Sequence, residues 1–203
     1  MSKIIIESLL NKIPLDTMML VERHIYTVQE CLLWTLYKRV SGDVVELGCN
    51  RGNMAIYTQS ILRAKSANKS LHVYDSFEGL PPHSAMDESP DRTAKKGDLG
   101  ATVQELLDFF ERYNVPCPLI HKGWFKDQKY PDKISFAFLD GDFYQSILDS
   151  WEAVYPRLSD GAIVCVHDYG FNPLVGVKRA CDEFLADKPH LMFWDDYVAT
   201  YIF

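Results

Sequence analysis

Short apolar runs that read as strands alternate along this chain with stretches of helical period, and that alternation leaves few folds open. The runs are "DVVELG" (43–48), "LHVYD" (71–75), "CPLIHKG" (117–123), "ISFAFLD" (134–140) and "AIVCVHD" (162–168). Between and after them, "NMAIYTQSILRAK", "TVQELLDFFERY", "QSILDSWEAVYPRL" and "VGVKRACDEFLAD" return apolar residues every three or four positions, the period of an amphipathic helix. Upstream, Leu20, Ile25, Val28, Leu32, Leu36 and Val40 predict a helix over 19–40, the main part of an N-terminal helical region covering 1–40. Strand–helix alternation predicts an α/β fold, a doubly wound and mainly parallel sheet covered on both faces through right-handed crossovers. Near the end, "LMFW" and "YVATYIF" are separated only by "DD" and predict a closing antiparallel hairpin, which makes about seven strands.

The bulk properties narrow the function. The 203 residues, 47% hydrophobic and 24% charged, suit one domain with a single substantial core. A net charge of −7 disfavours nucleic acid as a partner, because phosphate backbones need a clustered basic surface. The five cysteines (31, 49, 117, 165 and 181) form no CxxC pair, and free thiols point to a cytoplasmic location. "MSKIIIESLLNKIPLD" is broken by Glu7 and Asn11 and lacks a cleavage pattern, and no run is long enough to span a membrane. The stretch 81–98, with three prolines and mixed charges, has no periodicity and reads as a long loop, either a lid or a flexible connector.

In open α/β sheets ligands bind beyond the carboxyl ends of the strands. Those ends carry Glu46 and Gly48, Asp75 with Ser76 after it, Gly123 and Trp124, Asp140 and Asp142, and His167 with Asp168. A single acid at such a position is often a helix N-cap, the role expected of Asp142 ahead of a helix starting near Gln145. In the first turn, "ELGCNRGN", Gly48 and Gly52 allow close approach of a ligand to the backbone, and the following helix offers free N–H groups. Asn50 stands where a dinucleotide fingerprint needs its second glycine, which disfavours NAD. Glu46 suits a cationic group such as an amine, Asp75 can accept both hydroxyls of a ribose, and Trp124 can stack on an adenine. A ligand with an amino-acid end and a ribose is S-adenosylmethionine.

The motifs "ELGCNRGN", "DSFEGLP", "KGWFKD", "FLDGDFYQS", "YPRLSDGAIVCVHDYG" and "RACDEFLAD" occur in the order and spacing of the macrocin O-methyltransferase family, which the chain resembles from about 40 to 190. That resemblance implies a Rossmann-like class I methyltransferase fold and S-adenosylmethionine as donor. It also implies a hydroxyl acceptor on a sugar or glycosylated small molecule, with a divalent ion, usually magnesium, near the transferred methyl. Assembly as a homo-oligomer is left open by it. The implied metal ligands are Asp140 of "LDGD" and the pair at the end of the next strand, where the family has two aspartates and this chain has His167 and Asp168.

An imidazole in place of a carboxylate removes a negative charge and favours manganese, iron or zinc over magnesium. Three readings of His167 stand side by side: metal ligand, general base acting without a metal, or a structural hydrogen-bonding residue. In the first, Asp140 or His167 receives the acceptor proton. Two alternatives to a metal-assisted methyltransferase are a metal-independent one with His167 as base and a non-catalytic regulatory subunit that binds S-adenosylmethionine.

Overall fold

The computed structural model describes residues 2–15, 17 and 19–203. In chain order the elements are α1 (Ser2–Lys12), α2 (Glu22–Tyr37), β1 (Asp43–Leu47), α3 (Asn53–Ala64), β2 (Leu71–Asp75), α4 (Val103–Arg112), β3 (Leu119–Lys122) and β4 (Ile134–Leu139). They continue with α5 (Tyr144–Val154), β5 (Leu158–Val166), α6 (Val175–Leu185), β6 (Leu191–Asp195) and β7 (Val198–Ile202). The strands form one sheet of seven in the order β3-β2-β1-β4-β5-β7-β6. The first five run parallel, and β7 pairs antiparallel with both β5 and β6. The doubly wound sheet and the terminal hairpin expected from the sequence are both present.

Period-two alternation sends neighbouring residues of each strand to opposite faces. Val44, Phe136, Phe138, Ile163 and Cys165 pack with α1, α2, α3 and α4 on one face. Val45, Leu47, Ala137, Leu139, Val164 and Val166 pack with α5 and α6 around Trp151 on the other. The same alternation continues past the end of β5, so His167 emerges on the α2 side of the sheet.

Several boundaries differ from the sequence reading, each for a local reason. The helix expected over 19–40 is Glu22–Tyr37, preceded by α1; Met1, Asp16 and Met18 of the N-terminal region lie outside the described residues. The helix expected through Leu158 ends at Val154 and tightens to a 3₁₀ turn over Tyr155–Arg157. Pro156 has no N–H to continue the α-helical ladder, and its ring crowds the preceding turn. The released chain enters β5 at Leu158, earlier than expected. Asp142 does not cap α5: it has a left-handed φ of 60°, and the N-cap is Phe143 without a side-chain bond.

The cap comes instead from the 81–98 segment. Ser84 and Asp87 form a reciprocal capping box around a 3₁₀ turn, and Asp87 Oδ1 accepts the N–H of Tyr144 at 2.6 Å. Gly176 of α6 admits this carboxylate, since a Cβ there would lie 2.0 Å from Asp87 Oδ1. Ser89 donates to the Asn172 carbonyl, Arg179 donates to that of Met86, and backbone bonds between Leu80, Gly97 and Asp98 close the base of the loop. Asp87 is buried, so Asp87→Ala leaves the Tyr144 N–H without its partner and should cost about 2 kcal/mol. Urea denaturation measures this, and unchanged stability would mean that the carboxylate does not anchor the segment.

Candidate active site

Beyond the carboxyl ends of β1, β2, β4 and β5 the chain encloses a cavity of about 460 Å³. Glu46, Gly48, Asn50, Asp75, Ser76, Trp124, Asp140, His167 and Asp168 all line it. Gly52 does not. Its φ of 87° places it at the start of α3, where a Cβ would lie 2.8 Å from the Phe110 ring, so its lack of a side chain serves helix packing. Gly48 does line the cavity, but the close approach it permits is to the chain itself: a Cβ would lie 1.9 Å from the Asp140 carbonyl oxygen. This contact lets the ends of β1 and β4 meet.

At one end of the cavity the β1–α3 turn faces the end of β2. Asn50 takes a left-handed φ of 47°, which asparagine tolerates, and its backbone N–H donates to Asp75 Oδ2 at 2.8 Å. Phe77 N–H donates to Asp75 Oδ1, also at 2.8 Å. Burial pushes the Asp75 carboxyl up while the N–H groups of Phe77, Asn50 and Cys49 oppose that rise, and a carboxylate's roughly four acceptor sites leave room for a further donor. Glu46 is buried with its Oε2 unpaired, and that burial pushes its carboxyl well above the usual range. Ser76 donates to the Gly79 carbonyl and accepts from Glu78 N–H, which shapes the turn after β2.

Beyond the ends of β4 and β5, Asp140, His167 and Asp168 converge. One ligating atom from each lies within 4.8 Å of the others. His167 Nδ1 is 3.1 Å from Asp140 Oδ1 and 3.0 Å from Asp168 Oδ2, yet it makes no well-aligned hydrogen bond and is buried. Burial disfavours an imidazolium, but Asp140 and Asp168 outweigh it and push His167 well above its ordinary value. Two carboxylate oxygens and an orphaned imidazole nitrogen facing one point fit a divalent ion of the manganese, iron or zinc type. Asp142 adjoins them, and burial with the charges of Asp140 and Asp168 pushes its carboxyl well above the usual range.

Three residues of this constellation were not expected from the sequence. His24, on the first turn of α2, brings Nδ1 to 3.0 Å from His167 Nε2, and its own Nε2 lies 3.1 Å from Asp196 Oδ2 in the β6–β7 turn. His24 stands one helical turn before Val28 on the buried face of α2, and a polar residue in that row was the available signal. Asp142 was assigned to a cap and turns out to line the cavity. Met19, Leu20, Val21, Phe171, Leu174 and Tyr197 contribute apolar surface to the wall. Phe171 and Tyr197 meet with ring centroids 4.9 Å apart.

The cavity's charge is one-sided. Six carboxylates line it (Glu46, Asp75, Asp140, Asp142, Asp149 and Asp168), and among the described residues no lysine or arginine does. A dinucleotide or sugar nucleotide would bring its phosphates to a wall that, among the described residues, has no lysine or arginine to meet them. A sulfonium with an ammonium group, or a metal ion, meets complementary charge.

The macrocin O-methyltransferase (TylF) family model matches residues 11–201. A tetracenomycin-modifying relative from Streptomyces olivaceus, 8-demethyl-8-(2,3-dimethoxy-alpha-L-rhamnosyl)-tetracenomycin-C 4'-O-methyltransferase, is 34% identical over 71% of this chain and 59% of its own. Demethyldecarbamoylnovobiocin O-methyltransferase of Streptomyces niveus is 31% identical over 81% of this chain and 66% of its own. The chain thus spans roughly three fifths to two thirds of the length of these curated relatives. Among solved structures, the O-methyltransferase NovP superposes with a TM-score of 0.79 at 28% identity, covering 89% of this chain and 79% of that one. The calicheamicin methyltransferase CalS11, at 17% identity and a TM-score of 0.78 over 97% of this chain and 85% of its own, shares the fold. With the family model matched over nearly its whole length, this chain belongs to the macrocin O-methyltransferase family.

Proposed function

We propose that this protein transfers the methyl group of S-adenosylmethionine to a hydroxyl of a sugar carried on a small apolar molecule, with a divalent ion held by Asp140, His167 and Asp168. The observation that carries this reading is the cavity wall itself: six carboxyl groups and apolar side chains, with no lysine or arginine among the described residues. Glu46 receives the ammonium of the donor, Asp75 accepts its ribose hydroxyls, and Trp124 covers the adenine ring. Asn50 and Ser76 hold the two turns that frame this half of the cavity. The relatives' names support the acceptor class: one is a methyltransferase of a rhamnosyl tetracenomycin, another of mycinamicin III.

Methyl transfer from a sulfonium is an in-line displacement. The acceptor O–C bond forms as the C–S bond breaks, the sulfonium leaves as a neutral thioether, and the acceptor proton must go elsewhere. Asp140, partly exposed to the cavity at the end of β4, takes that proton. Asp140, His167 and Asp168 would hold a divalent ion, which when bound would supply Lewis-acid polarisation of the acceptor hydroxyl. His167 is poorly placed to be the base. Its Nε2 is engaged by His24, and the carboxylates around Nδ1 favour a ring that already holds a proton when no metal is present.

The aromatic pair Phe171 and Tyr197 offers an apolar face for the acceptor, and the 81–98 loop, which contributes Thr93 and Ala94 to the wall, closes over it as a lid. A cytoplasmic location belongs to the same reading, supported by five free thiols. Among the described residues, no helix is long and apolar enough to cross a membrane.

The test is transfer of labelled methyl from S-adenosylmethionine to a panel of glycosylated aromatic and macrolide compounds, with nucleotide-linked sugars as controls. Turnover should occur on glycosides, fall at least about a hundredfold with EDTA, and return with manganese. Undiminished turnover in EDTA would remove the metal, and donor binding without turnover on any acceptor would favour a regulatory binder.

A further inference from the structure

We infer that His24, backed by Asp196, is a positioning residue that fixes the tautomer of His167, so that the Nδ1 lone pair faces the point shared by Asp140 and Asp168. This inference rests on the metal-assisted reading above and adds to it the group that makes an imidazole usable there.

An ionised carboxylate only accepts, so at 3.1 Å from Asp196 Oδ2 the His24 Nε2 must carry a hydrogen and donate. A neutral His24 then keeps its lone pair on Nδ1, 3.0 Å from His167 Nε2, and that nitrogen must donate in turn. The remaining nitrogen of a neutral His167, Nδ1, is bare. It points between two carboxylate oxygens at 3.0 and 3.1 Å and has no aligned hydrogen-bond partner. Three acceptors facing one another need either a proton on Nδ1 or a metal ion among them, and a metal ion that displaces that proton meets the Nδ1 lone pair already aimed at it. With the opposite tautomer of His167, two bare nitrogens would face each other across 3.0 Å.

The geometry holds this arrangement in place. The two imidazoles are buried and cross at 76° with centroids 4.7 Å apart, and Phe138 flanks His167 from the sheet. Asp196 sits in a left-handed turn residue with φ 55°, and the adjoining pair Arg23–Asp195 ties the same helix end to the same hairpin. Ligand imidazoles elsewhere are oriented by a partner on the second ring nitrogen, and losing such a partner typically weakens metal binding by roughly 10- to 100-fold.

The experiment titrates manganese and magnesium separately into the metal-free protein, following free manganese by electron paramagnetic resonance and magnesium by competition. S-adenosylhomocysteine affinity is measured alongside. His24→Phe should weaken manganese binding by about 10- to 100-fold while leaving S-adenosylhomocysteine affinity within about threefold. His24→Asn places an amide oxygen where Nδ1 was and should recover most of the loss. In a His167→Asp background no imidazole remains to be oriented, and His24→Phe should leave metal affinity unchanged. Wild-type manganese affinity in folded His24→Phe overturns the inference, as does an equal loss in the His167→Asp background. A wild-type protein that binds neither ion overturns the metal reading itself, which is a separate failure.

Discussion

Asp140→Ala should lower kcat/KM for methyl transfer by about a thousandfold or more, roughly 4 kcal/mol of transition-state stabilisation. It should leave the affinity for S-adenosylhomocysteine within about threefold of wild type. The contrast follows from where the side chain sits. Its carboxylate faces His167 Nδ1, whereas the Asp75 carboxylate is turned to the backbone N–H groups of Asn50 and Phe77. In the proposed mechanism its removal deletes both the proton acceptor and one of three ligating groups, while the contacts that hold the strand ends together belong to the backbone. Asp140 N–H donates to the Leu47 carbonyl, and the Asp140 carbonyl lies against Gly48. The variant should therefore fold and bind donor. Turnover within tenfold of wild type would remove Asp140 from the chemistry, and loss of donor binding with it would mean that the two halves of the cavity are not separable.

The second large effect is at Asp75. Asp75→Ala should raise the KM for S-adenosylmethionine and the dissociation constant of S-adenosylhomocysteine by about a hundredfold, with kcat at saturating donor falling much less. Two hydroxyl contacts to a carboxylate, each worth roughly 1.5–3 kcal/mol, account for at least this much. The same carboxylate accepts the backbone N–H groups of Asn50 and Phe77, so its loss also loosens both turns that face the donor. Circular dichroism separates the effects: an intact spectrum with a raised KM supports donor contact. An unchanged KM in a folded variant would show that Asp75 only organises the turns.

Much of this was legible before any coordinates, and the exceptions share a cause. The strands announced themselves because a sheet buried on both faces needs continuous apolar runs, as in "ISFAFLD" and "AIVCVHD". Their carboxyl ends then located the cavity, which the strand-end residues line except for Gly52 and Gly123. Gly48 lines the cavity as expected, and its missing side chain also lets the Asp140 carbonyl approach, a contact that the sequence pattern does not show. Asp142 was misread because the cap of α5 arrives from Asp87, 57 positions away. His24 and His167 are 143 positions apart, and His24 and Asp196 are 172 apart, so no local pattern could join them. The Ser84–Asp87 box was visible as S-x-x-D, yet the surrounding prolines and charges masked it.

The account turns on whether this cavity takes the donor. Calorimetric titration of S-adenosylhomocysteine into the wild-type protein and into Asp75→Ala measures that directly. The prediction is a single site per chain in the wild type, displaced by S-adenosylmethionine and weakened about a hundredfold by the substitution. No binding to a folded wild-type protein, or binding that Asp75→Ala leaves untouched, would contradict it.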